Sequence, residues 1–296
     1  IIATSPQFFT AIAGRKLGFW KKIPWIMEVR DLWPESIKNV DAVKDNLIIR
    51  ILEREELKCY KKAKAIVTVT DTFKEVIIDK GISKDKFEVV KNGANLELYQ
   101  PKEKNDSIID ELNLKGKFIL GYIGTHGMAH KLDFILNTAK NITDSRIHFL
   151  FIGDGAEKKS VVELSEKLNL KNTTFLEPVK KQEVVDYISV IDVALIPLKK
   201  SELFKTVIPS KIFESAAMQK PILLGVDGES RGIIEKYNAG LYFEPENESD
   251  LIEKLGRLSN DSVLYNELQK GCSKLAKDFD RKLLANKMLN FLQKQI

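Results

Sequence analysis

Phe118-Ile119-Leu120-Gly121-Tyr122-Ile123-Gly124-Thr125-His126-Gly127-Met128-Ala129-His130-Lys131-Leu132-Asp133 joins a strand-length apolar run to a glycine turn and then to the start of a helical pattern. That order is the first half of a βαβ unit. The alternation continues downstream. Strand-like runs recur at His148-Phe149-Leu150-Phe151-Ile152, Thr173-Thr174-Phe175-Leu176, Val193-Ala194-Leu195-Ile196, Pro221-Ile222-Leu223-Leu224 and Gly240-Leu241-Tyr242-Phe243, and helical stretches separate most of them. Such a series predicts a parallel sheet flanked by helices.

Upstream, the polar stretch Pro101-Lys102-Glu103-Lys104-Asn105-Asp106-Ser107 breaks the pattern and reads as a linker. Before it lies a shorter series with strands at Trp25-Ile26-Met27-Glu28-Val29, Ala65-Ile66-Val67-Thr68-Val69 and Phe87-Glu88-Val89-Val90. A long helix ends near Lys61-Lys62, and another runs from Thr72 to Lys80. The opening Ile1-Ile2-Ala3-Thr4-Ser5-Pro6 reads as the end of a buried strand and not as a signal peptide. The expected fold is therefore α/β with two Rossmann-like domains, the first truncated at its N-terminus. The expected bounds are 1–101 and 102–278. A C-terminal helix over 279–296, with Leu283, Leu284, Met288, Leu289 and Leu292 on one broad face, is a candidate to return to the first domain.

Composition narrows the function. A chain of 296 residues suffices for two domains with their own cores. The net charge of +5 is spread over helices that mix Lys with Glu, which is a solvated surface more than a nucleic-acid stripe. Cys59 and Cys272 are far apart and form no zinc spacing or disulfide framework, and a reducing cytosol fits them. No apolar run reaches the roughly 18–20 residues that span a bilayer.

Three stretches carry chemistry. In Pro209-Ser210-Lys211-Ile212-Phe213-Glu214, Ser210 is placed to cap the helix that follows, Lys211 adds charge at its start, and Glu214 lies one turn in. This is either an ordinary capped helix or a nucleoside diphosphate site, with a cationic end for the phosphates and a carboxylate for the ribose diol. In the glycine turn, Gly124 and Gly127 permit close backbone approach to a pyrophosphate and Lys131 supplies charge. His126 and His130 are there either phosphate donors or plain surface and capping residues. The third stretch, Val29-Arg30-Asp31-Leu32-Trp33-Pro34-Glu35-Ser36, follows a strand directly. It places Arg30, Asp31 and Glu35 beyond a carboxyl end, where open parallel sheets bind ligands. The competing reading is an internal Arg30–Asp31 pair with Trp33-Pro34 as a packed turn.

Taken in order and spacing, and with Asn92-Gly93-Ala94-Asn95 and Phe151-Ile152-Gly153-Asp154-Gly155, these stretches resemble glycosyltransferase family 4 over essentially the whole chain. Within that family of retaining enzymes with the GT-B fold, the chain is similar to the branch assembling O-antigen and capsule repeats, which holds fucosamine-type transferases. The family's paired acids would fall at 206 and 214. The first is Thr206 here, and the second, which contacts the ribose, is Glu214. The family's cleft histidine corresponds to Arg30, and the arginine of its phosphate-binding Arg/Lys pair has no clear counterpart.

The resemblance implies an enzyme that transfers a sugar from an NDP-sugar, UDP-linked by preference, to a lipid-linked or polysaccharide acceptor. It places the donor between the domains, on Gly124, Gly127, Lys131, Thr206, Ser210, Lys211 and Glu214, with Arg30, Asp31 and Glu35 acting at the acceptor and reacting centre. It implies no metal or other cofactor, a front-face retaining transfer, and a place in the cytoplasm at the inner face of the membrane. A UDP-sugar 2-epimerase-like isomerase and a non-catalytic nucleotide-sugar-binding module are the alternative readings. The segment Arg15-Lys16-Leu17-Gly18-Phe19-Trp20-Lys21-Lys22-Ile23-Pro24-Trp25 interleaves four cations with apolar side chains, as either an anionic-membrane contact or an ordinary helix end.

Overall fold

A computed structural model of the chain describes residues 1–34 and 47–295. Among these, the chain divides into two compact units. The first comprises Ile1–Asn92, Thr206–Ile208 and Arg281–Ile296, and the second Gly93–Lys205 and Pro209–Asp280.

The first unit is built on a parallel sheet of β1 (Ile2–Ser5), β2 (Ile26–Val29), β3 (Ala65–Thr68) and β4 (Phe87–Val89), in that order. Ile2 is in register with Ile26, Ile26 with Ala65, and Ile66 with Phe87. The helices are α1 (Phe8–Lys21), α2 (Leu47–Lys62) and α3 (Asp71–Asp79). Thr70 caps α3, its hydroxyl accepting from the Phe73 amide. Side chains alternate across the sheet with period two. Met27, Val29 and Ile66 face a core with Cys59, Tyr60, Phe73 and Ile77, onto which Val207 packs. Ile26, Ala65 and Val67 face the other side and are covered by Leu284, Met288, Phe291 and Leu292. Those four belong to the terminal helix, Arg281–Gln293.

The second unit carries a six-stranded parallel sheet in the order β10-β9-β8-β5-β6-β7. The strands are β5 (Phe118–Ile123), β6 (Ile147–Ile152), β7 (Thr173–Leu176), β8 (Val193–Pro197), β9 (Ile222–Gly225) and β10 (Gly240–Tyr242). Its helices are α4 (Asp106–Glu111), α5 (Leu132–Lys140), α6 (Lys158–Lys167), α7 (Val184–Val190), α8 (Lys211–Ala217), α9 (Glu229–Tyr237), α10 (Glu248–Asn260) and α11 (Ser262–Asp278). Each strand was expected within a residue or so of where it lies. Tyr122, Phe149, Phe151, Leu195, Leu223, Phe243, Leu251 and Leu255 form the core.

Residues 93–101, expected with the first domain, lie in the second unit. The Ala94 amide donates to the Phe279 carbonyl at 3.1 Å, and Ala94 bridges Asp280, so these residues are tied to the end of α11. The strand order reverses between β5 and β8, and a doubly wound sheet opens a crevice beyond the carboxyl ends of two such strands.

Candidate donor and acceptor sites

The turn after β5 lies at that switch point. Gly124 has φ +143°, and a Cβ there would lie 2.5 Å from Lys211 Cε. Gly153, at the end of β6, has φ +141°, and its Cβ would lie 1.9 Å from the Gly124 carbonyl oxygen. Both positions thus require glycine. The two turns are laced together: the Gly124 amide donates to Ile152 O, the His126 amide to Asp154 O and the Glu157 amide to His126 O, each at 2.8 Å. Lys158 Nζ donates to the carbonyls of Gly153 at 2.9 Å and Leu176 at 2.6 Å, fixing the ends of β6 and β7.

Lys211 projects into this corner from the start of α8. Its Nζ stands 3.9 Å from the centroid of the Tyr122 ring, a cation–π contact. Burial pulls its ammonium down to about 7, with Glu214 acting in the opposite sense. Lys211 and Glu214 line one small cavity of about 30 Å³ with Ile123, Val184 and Ile188. A cation beside a glycine-only backbone turn, with a carboxylate one helical turn away, is the arrangement that a diphosphate attached to a diol needs.

Ser210 occupies the N-cap position of α8, but its backbone is already helical and its hydroxyl makes no capping bond. The Ile212 amide bonds to Pro209 O at 3.1 Å and the Phe213 amide to Ser210 O at 3.0 Å. The preceding tight turn therefore uses amides that were expected to be free, and the side chain of Lys211 is the principal charge at this end. Gly127 is extended, with φ −114°, and a Cβ there would meet nothing nearer than 3.7 Å, so close approach depends on Gly124. Lys131 adopts the left-handed conformation at the start of α5, and its Nζ lies 3.3 Å from Asp133.

The sequence left His126 and His130 open, and the structure turns both inward. His126 is fully buried, and neither of its ring nitrogens has a hydrogen-bond partner among the described residues. His130 is half-buried with an unpartnered Nδ1, and its ring centroid is 5.7 Å from that of Tyr122. Burial pushes both imidazoles down to about 4, with Lys158 and Lys211 adding to the effect at His126 and Lys211 at His130. The signal available in the sequence was position: both histidines sit within seven residues of the end of a central strand.

In the first unit, Arg30 follows β2. Its guanidinium donates to Asn92 Oδ1 at 3.1 Å and, more weakly, to Glu28 Oε1 at 3.5 Å. Glu28 also accepts from the Thr4 hydroxyl at 2.8 Å. The carboxyl ends of β1, β2 and β4 thus converge on one polar cluster, and Glu28 is a member that the motif reading missed. The Ser5 hydroxyl donates to the Asp31 carbonyl at 3.2 Å, which fixes the backbone that carries the Asp31 carboxylate. Trp33 packs on Phe8, ring centroids 4.5 Å apart. Thr206 groups with the first unit, while Gly124, Gly127, Lys131, Ser210, Lys211 and Glu214 belong to the second. Glu35 lies outside the described residues. Among the described residues no group of three or more His, Cys, Asp or Glu side chains could hold a metal ion, and no helix is long and apolar enough to cross a membrane.

Comparison with known proteins places this geometry in a family. The chain is similar to Anabaena HepE, solved in complex with UDP, at a TM-score of 0.84 and 13% identity, covering 99% of this chain and 78% of that one. That likeness establishes the fold as GT-B, two Rossmann-like domains with parallel sheets. In sequence it is 26% identical over 260 residues to TuaH of Bacillus subtilis, named for teichuronic acid biosynthesis, covering 86% of this chain and 63% of that protein. It is 24% identical to the N,N'-diacetylbacillosaminyl-diphospho-undecaprenol alpha-1,3-N-acetylgalactosaminyltransferase of Campylobacter jejuni, covering 94% of this chain and 72% of that one. The chain thus spans a little under two thirds of the length of TuaH, and 51% of WbjE of Pseudomonas aeruginosa. Residues 103–279 match the family described as Glycosyl transferases group 1, well over half of the chain, and the chain belongs to that family.

Proposed function

We propose that this chain is the sugar-transferring part of a retaining glycosyltransferase in cell-surface polysaccharide assembly, with a UDP-sugar as donor and a lipid-linked or saccharide acceptor. The observation that carries the reading is Lys211 packed on Gly124 and Tyr122 at the switch point, with Glu214 lining the same cavity. UDP in the HepE complex and undecaprenol in the name of the Campylobacter relative support the donor and acceptor classes. In this reading Lys211 meets the diphosphate, Glu214 the ribose hydroxyls, and Ser210, Gly127, Lys131 and Thr206 the rest of the donor. As the glycosidic bond breaks, negative charge grows on the leaving diphosphate, and Lys211 stabilises it without a metal. A donor phosphate oxygen takes the acceptor proton during front-face attack. Arg30, Asp31 and Glu35 orient the acceptor.

One panel tests this reading. Glu214→Ala is expected to weaken UDP binding by about 1–3 kcal/mol, the cost of losing hydrogen bonds to a charged group. Arg30→Ala and Asp31→Asn are expected to reduce transfer at least tenfold while UDP affinity stays within about twofold. Transfer is expected to survive EDTA. Full transfer by Asp31→Asn, unchanged UDP affinity in Glu214→Ala, or an epimer released without acceptor would each count against the assignment.

We further infer that the enzyme works at the cytoplasmic membrane face and rests there through α1. Phe19 and Trp20 are 80% and 70% exposed at its end and, with Ile23, Pro24, Lys16 and Lys64, line a groove of about 500 Å³. Trp25 instead packs inward, its indole donating to Lys62 O at 3.0 Å, and Arg15 pairs with Glu55. That leaves Lys16, Lys21 and Lys22 to meet anionic headgroups, at roughly 1 kcal/mol per cation. The expected result is co-sedimentation with phosphatidylglycerol vesicles that fades with salt and falls in a Lys21→Glu, Lys22→Glu variant. Equal pelleting with neutral vesicles would refute it.

A further inference from the structure

The corner beneath the glycine turn holds more nitrogen bases than its carboxylates neutralise. Tyr122 from β5 is its floor, His126 and His130 come from the turn, Lys211 and Glu214 from α8, and Asp154 and Lys158 from the β6–α6 connection. Lys158 is occupied by two backbone carbonyls, and Asp154 Oδ1 accepts from the Gly155 amide at 2.7 Å. Lys211 has the Tyr122 ring beneath it, while the ring nitrogens of His126 and Nδ1 of His130 have no partner among the described residues. Three basic groups are thus held together at low dielectric, where the charge of Lys211 opposes the charging of both histidines.

We propose that His130 and Lys211 together receive the donor's diphosphate and that binding draws a proton onto this pair. The inference rests on the donor reading above and adds a second binding residue and a regulatory consequence to it. Without ligand, burial keeps Lys211 near the midpoint of its titration at neutral pH and His130 uncharged. An arriving diphosphate brings the missing negative charge, so the proton affinity of Lys211 rises on binding. His130 then donates a ring N–H to a phosphate oxygen. His126, enclosed below, stays neutral because burial and the neighbouring Lys158 and Lys211 disfavour its charged form, so the proton goes to Lys211 and not to His126.

The sign follows from linkage. A cation whose proton affinity rises on binding gives its full contribution below its free-state midpoint and loses it as pH climbs above that midpoint. UDP affinity should fall from pH 7 to pH 9, by at most about tenfold per unit for one proton. The second phosphate ionisation near pH 6 lies below this window. The ring N–H of each base, which begins to ionise at its upper end, acts equally on Lys211→Arg, so the difference between wild type and that variant isolates the lysine.

The experiment is isothermal titration of the full chain with UDP, GDP and dTDP across pH 7–9, in buffers of different ionisation enthalpy. Expected are buffer-dependent heats that report uptake of up to one proton, and affinity that declines with pH. Lys211→Arg, permanently charged, should bind with little pH dependence. His130→Ala should lose about tenfold in affinity with an unchanged melting temperature. Wild-type affinity that is flat across the window, with equal heats in all buffers, overturns the proposal while leaving the donor reading intact. Wild-type affinity in His130→Ala removes that residue from the pair. No binding of any of the three nucleotides at any pH overturns the donor reading, and this inference with it.

Discussion

Gly153→Ala is expected to destabilise the second unit by about 3 kcal/mol or more and to lower its melting temperature by roughly 6–12 °C. A methyl group at this position meets the Gly124 carbonyl oxygen at 1.9 Å, which is backbone and has no rotamer to change. The residue also sits at φ +141°, where a side chain is strained even in open space. Relief requires β6 to move relative to the β5 turn, and the Gly124–Ile152 and His126–Asp154 hydrogen bonds resist that. The same change at Gly127, which is extended and has ordinary contacts, should stay within about 0.5 kcal/mol of wild type. Calorimetric melting of the two variants side by side is the check. A Gly153→Ala protein that melts with wild type would show that the two turns are not locked together.

Lys211→Met is expected to separate stability from function in opposite directions. UDP affinity should drop by about 2–3 kcal/mol, roughly 30–150-fold, because the variant keeps the length of the side chain and loses its charge-assisted contact. Stability at pH 7 should rise by about 1–3 kcal/mol, since replacing a buried charge with an apolar chain of similar volume removes a desolvation cost. The pH dependence identifies the cause. The folded protein holds the Lys211 proton with a midpoint near 7, whereas its ordinary value is 10.5. Between these two values the unfolded chain binds a proton that the folded one does not, so this lysine costs progressively less stability as pH rises across that window. The advantage of the variant should therefore shrink from pH 7 towards pH 10. Chemical denaturation of both proteins at pH 7, 8.5 and 10 measures it. A variant less stable than wild type at pH 7 would mean that the Tyr122 contact outweighs desolvation.

Much of this molecule could be read from one dimension. The strand at 118–123 is an apolar run bounded by Lys117 and Gly124, and that at 147–152 is a mostly apolar run bounded by Arg146 and Gly153, so their strand length follows from that local pattern. Gly124, Lys211 and Glu214 could be nominated because each stands in a local context with a physical meaning: a turn after a strand, or the first turn of a helix. What the sequence left open depends on partners far along the chain. Whether His126 and His130 face solvent is decided by Tyr122 and by Lys211, more than 80 positions away, and whether Gly124 or Gly127 permits close approach is decided by Gly153 and Lys211. The capping role expected of Ser210 was lost to a backbone turn that satisfies the same amides, a competition that residue type does not reveal. The terminal helix announced an apolar face and a return to the first domain as a candidate course, but not the strands it covers, because Ile26, Ala65 and Val67 form a complementary surface only once β2 and β3 are aligned. Local propensity and periodicity determined the elements and nominated the site, while burial, charge and steric fit at the site exist only where distant segments meet.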